Sequence, residues 1–131
     1  WKPLSRYVEF HEQPGDLILF FNPITFKALF SCSYKGSNAM YAIPVEPNYD
    51  KDDFWRQFIK NEGQIIDFFD KRKSKTGRIW LIGKEDVFGP TGGWDLNGRV
   101  FEKYLAERFD LVAKEHFDKS ATVHLFVMKK P

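Results

Sequence analysis

Cysteine, histidine and long apolar runs are scarce in this chain of 131 residues. A single cysteine, Cys32, closes no internal disulfide, which points to a reducing, intracellular compartment. The three histidines, His11, His116 and His124, show no H-x-x-x-H spacing, and no second cysteine joins Cys32. No metal site and no cofactor is therefore expected from local sequence. The longest apolar run is Leu17 to Phe21, far below the roughly 20 residues of a membrane span. Nothing ahead of it has the charged and apolar pattern of a signal peptide. Charge of one sign is lacking too. Twenty Lys and Arg against 18 Asp and Glu leave +2, too little for a general polyanion binder. The nucleophile elbow G-x-S-x-G and the phosphate loop G-x-x-x-x-G-K-[ST] are both missing. No catalytic residue is assigned.

What the chain has in excess is rings. Phe 14, Tyr 5 and Trp 4 make up 18% of the residues, beside an ordinary 29% charged. That balance excludes a disordered or low-complexity chain. The length suits one core, so residues 1–131 read as one folded α+β domain. A start at Trp1 rather than Met reads as a piece trimmed from a longer chain.

Periodicity sets the expected architecture. Arg6 to Phe10 reads as a short strand ended by the turn Gln13–Pro14–Gly15. Leu17 to Phe21 is apolar throughout, as a strand covered on both faces would be. From Ile24 to Tyr34 the even positions Phe26, Ala28, Phe30 and Cys32 alternate with polar ones, which predicts a strand. The turn Lys35–Asn38 and a strand at Tyr41 to Val45 would complete a hairpin. After Asp50, apolar pairs at Phe54/Trp55, Phe58/Ile59, Ile65/Ile66 and Phe69 predict a helix, with Gly63 as a possible break. Ile79 to Ile82 reads as a strand. A second helix is expected from Asp95 through Leu111/Val112, and a last strand from Thr122 to Met128. The order ββββ-α-β-α-β predicts a mostly antiparallel sheet with two amphipathic helices packed on one face.

Two segments are candidate sites. Residues 51–78 carry 8 basic against 5 acidic groups, and the excess gathers at Lys71, Arg72, Lys73, Lys75 and Arg78. Such a loop suits phosphate contact, because each neutralised phosphate releases counterions. The same cations also suit the negative end of a helix dipole. Tyr34, Tyr41 and Trp80 would add stacking platforms if exposed beside it. The second segment is Gly89 to Asp95. Adjacent Gly92 and Gly93 allow close approach of the backbone, and Phe88 and Trp94 flank them. It suits an anion or a partner, and equally an ordinary connection into a helix. His124 reads as a partly exposed strand histidine, and Cys32 as an inert packing residue.

Taken together, the residues favour a non-catalytic interaction module with a protein partner, because Tyr and Trp concentrate at interface hot spots. A nucleic-acid-binding domain using the 71–78 loop is the alternative. A phosphoryl-transfer or hydrolytic enzyme at 84–95, with His124, Glu85 or Asp86 converging, comes third.

Overall fold

Leu4 and Val8 stand one helical turn apart, and the chain uses them that way. Lys2–His11 forms a helix, α1, that buries Leu4, Ser5 and Val8. This computed structural model describes residues 2–21, 30–43, 62–72, 74–83, 103–117 and 121–130. The strand expected at Arg6 to Phe10 is therefore helical, since a four-residue spacing satisfies a short alternating pattern as readily as a helical one. Gln13–Pro14–Gly15 does turn the chain, with Gly15 at φ 97°, a conformation that a side chain would strain. Next comes β1, Leu17–Phe21.

The expected hairpin is replaced by a crossover. Residues 30–33 are helical, and the Tyr34 amide donates to the Phe30 carbonyl at 2.8 Å. Phe30 and Tyr34 lie four apart, so helix and strand both put them on one face. The strand β2, Ala39–Ile43, pairs in parallel with β1, in register Leu17↔Ala39 to Phe21↔Ile43. Residues 22–29 and 44–61 lie outside the described set, and with them the first part of the expected helix. Its last part is present as α2, Glu62–Lys71. β3, Arg78–Gly83, follows as expected and pairs in parallel with the other side of β1.

The second expected helix is cut short. Residues 103–108 are helical, but Leu111 and Val112 belong to a strand, β4, Phe109–Phe117. Asp110, Lys114, Glu115 and His116 disguise it, because an edge strand largely open to water needs no apolar alternation. The last strand, β5, Ala121–Met128, pairs antiparallel with both β3 and β4. The register against β4 slips between Leu111 and Ala113, leaving Val112 as the extra residue of a bulge.

The result is an α+β fold on one five-stranded mixed sheet, in the order β2-β1-β3-β5-β4. Two pairings are parallel and two antiparallel, so the sheet is less antiparallel than the sequence implies. Helices cover both faces rather than one. On the first face, Leu4 and Val8 of α1 and Phe30 pack on Ile18, Phe20, Trp80 and Ile82. On the second, Phe68 and Phe69 of α2 with Tyr104 and Leu105 pack on Leu17, Leu19, Ile79 and Leu81. That explains the unbroken apolar sequences of β1 and β3, which are buried on both sides. Each such side chain taken from water contributes about 1.5–3 kcal/mol.

The winding of the chain follows from handedness. From β1 to β2 it passes the first face, where Phe30 packs. From β2 to β3 it crosses back over β1 on the second face, where α2 packs. Parallel crossovers keep one hand, so a change of direction along the sheet demands a change of face. β1 is the strand at which the direction reverses.

Candidate functional site

The amino ends of the three parallel strands are closed by two polar clusters. Asp16, directly before β1 and 2% exposed, is the hub of the first. Its Oδ2 accepts from the Trp80 indole at 2.9 Å and from the Gln13 amide at 2.9 Å. Its Oδ1 accepts from the Thr76 hydroxyl at 2.6 Å, and Arg78 Nε lies 3.2 Å from both oxygens. Arg78 Nη2 also donates to the His11 carbonyl at 3.0 Å, which ties α1 to β3. A buried carboxylate is tolerable only with such company.

The second cluster joins α1 to β2. The Tyr34 hydroxyl donates to Glu12 Oε2 at 2.6 Å. Asn38 Nδ2 donates to the same oxygen at 3.2 Å and to the Gln13 carbonyl at 3.1 Å. Asn38 Oδ1 accepts from the Gly15 amide at 2.8 Å. Burial, together with the Glu12 carboxylate, pushes the Tyr34 phenol above its ordinary value, so it stays a neutral donor. Gly36 wraps this hydroxyl so closely that a Cβ there would collide with Tyr34 and Glu12.

The basic run is largely drawn into this end of the fold. Arg78 serves Asp16. Arg72 lies over the Phe68 ring at 4.5 Å and the Tyr41 ring at 5.2 Å, and Lys71 pairs with Asp67 at 3.1 Å. Lys75 is exposed, and Lys73 lies outside the described residues. The three rings named as stacking platforms are not arrayed beside the loop. Trp80 and Tyr34 are core, and Tyr41 is half-buried under Arg72.

The carboxyl ends are different in kind. β1 ends at Phe21, β2 at Ile43 and β3 at Gly83, and each leads into residues outside the described set. Phe88, Gly92, Gly93 and Trp94 fall in the segment that leaves β3, as do Glu85 and Asp86. Beside Gly83 stands Thr122 of β5, fully buried, whose hydroxyl shares a 3.1 Å hydrogen bond with His116 Nδ1 of β4. His124 pairs with Leu81 on one side and Lys114 on the other. It is 3% exposed, not partly exposed as the sequence suggested. Burial pushes its imidazole down to about 4, and the nearby charges of Lys114 and His116 add to that, against a hydrogen bond to the Leu81 backbone. A general base works best near the operating pH, so a histidine held neutral this firmly is poorly matched to proton transfer at pH 7.

Cys32 also departs from expectation. It is exposed beside α1 rather than buried in an apolar face, because residues 30–33 turn as a helix. Sequence reasoning missed Asp16 altogether. The available signal was an acid between a Pro-Gly turn and an apolar strand, with Arg78 and Trp80 two apart on one strand face. Among the described residues, no group of three His, Cys, Asp or Glu side chains is placed to hold a metal ion. None of the described helices is long and apolar enough to cross a membrane. Comparison with known proteins adds no relative: no family model matches the chain, and no curated protein does.

Proposed function

We propose that the protein is a non-catalytic interaction module that receives a protein partner at the carboxyl edge of β1, β2 and β3. The observation that carries this reading is the reversal of winding at β1, with crossovers on opposite faces. In open sheets with parallel strands, a ligand is taken outside the carboxyl ends at such a reversal, where the two crossovers part. The amino edge, by contrast, has its polar groups engaged within the fold, and a surface so committed has little left to offer a partner. The segments that leave the carboxyl ends bring Trp55, Phe88 and Trp94, residue types favoured at hot spots. A histidine kept neutral supports binding over acid–base chemistry.

The test is a footprint. A partner captured from extract is purified, recombined with the chain and examined by amide hydrogen exchange. Protection gathered at Phe20–Phe21, Ala42–Ile43 and Ile82–Gly83 supports the reading. Protection gathered at α1 or the 74–78 loop overturns it, as does a failure to form any reconstituted pair.

A further inference from the structure

A second binding surface lies on the outer side of α1, away from the carboxyl edge, and it does not depend on the reading above. Leu4 and Val8 point to the sheet, which leaves the other side of the helix facing the helical residues 30–33. The Ser5 and Ser33 hydroxyls meet at 2.6 Å and join the two along the floor. Between them runs a groove of about 610 Å³. Its charged lining is Lys2, Arg6 and Lys35 against the single carboxylate of Glu9. Glu9 is occupied: its Oε1 accepts from the Lys35 backbone amide at 2.6 Å. None of the ion pairs between described residues involves the three cations. Phe10 closes one end with its ring 84% exposed, the most exposed large apolar side chain of those described.

These features complement one kind of occupant. The positive excess favours carboxylates, since opposite charge across an interface sets both encounter and choice of partner. The exposed ring favours an apolar anchor among them, as an aromatic side chain at the mouth of a cleft is a typical hot spot. Glu9 in the lining repels a uniformly charged polyphosphate, whereas a peptide can place an apolar residue opposite it. We infer that the groove between α1 and residues 30–33 is a docking site for an acidic peptide segment of a partner protein, anchored by an apolar side chain against Phe10.

Cys32 lines the groove and is the chain's one cysteine, so its alkylation rate reports occupancy directly. The probe is a synthetic Glu-Glu-Phe-Glu-Glu peptide at low ionic strength, with maleimide as the thiol reagent. The expected result is saturable protection of Cys32, weakened about tenfold or more by Arg6→Glu with Lys35→Glu and also by Phe10→Ala. Lys103→Glu, an exposed cation elsewhere, leaves it unchanged. All four residues are exposed, and circular dichroism of each variant verifies the fold. No protection by the peptide overturns the inference, as does equal loss in the Lys103 variant. Stronger protection by an oligonucleotide or by anionic phosphatidylserine vesicles also overturns it, in favour of those polyanions.

Discussion

The amino and carboxyl ends of β1, β2 and β3 are separated by only a few residues of strand, yet they treat polar groups in opposite ways. At the amino ends, Asp16, Thr76 and Arg78 on one side and Glu12, Tyr34 and Asn38 on the other satisfy one another. They hold together stretches more than 60 residues apart in the chain. At the carboxyl ends, the glycine of β3 and the small side chain of Thr122 leave the sheet without a comparable polar clasp among the described residues. A fold that spends its buried charge at one end can leave the other to the segments that meet a partner. The difference teaches where to expect substitutions to cost stability and where to expect them to cost binding.

The largest effect is expected at Asp16. Asp16→Ala strands the Arg78 and Trp80 donors and should lower unfolding free energy by about 3–5 kcal/mol in urea titration. A loss under about 1 kcal/mol would mean the clasp is ornamental. Next is pH. The unfolded His124 takes a proton near its ordinary value of about 6.5, while the folded one resists until about 4. Between those values the unfolded state binds more protons, so stability is full above about 6.5 and falls with acid, by up to about 3 kcal/mol, levelling below the folded value. Denaturation midpoints of His124→Gln should be flatter across that window. An unchanged slope would assign the acid sensitivity to other groups.

Tyr34→Phe comes third. It removes a donor to Glu12 and an acceptor for Asn38, at a cost of about 1–2 kcal/mol by thermal melting. The smallest effect is expected at Lys114, exposed on β4 near the carboxyl end. Lys114→Ala should change stability by less than about 0.5 kcal/mol at pH 7. It should also move the His124 titration, followed by NMR of the ring, toward the ordinary value. A large loss of stability there would erase the contrast between the two ends.

How much of this was legible depended on whether a residue's surroundings come from its own neighbourhood. β1, β3 and β5 were readable because burial on both faces, or alternation on one, leaves its mark in consecutive residues. The 30–34 turn was misread because Phe30 and Tyr34 fit two periods at once, and the partner strand decides between them. β4 was misread because an edge strand owes little to burial, and its charges match an exposed helix equally well. The basic run was visible as sequence, but its pairing with Asp16, Tyr41 and Phe68 depends on distant segments. The two candidate segments thus stand differently. The 71–78 run is mostly occupied within the fold, and the glycine loop follows β3 at the end where the winding reverses.

The bulge at Val112 has a bearing on how copies of the chain behave in one another's company. A nine-residue edge strand offers a row of open amides and carbonyls on which another strand can align and begin a stack. One extra residue between Leu111 and Ala113 breaks the even spacing that such a stack requires. Lys114 and Glu115 then carry charge along the rest of the margin. A small irregularity on the rim, remote from either proposed binding surface, thereby guards the molecule against growing into a fibre.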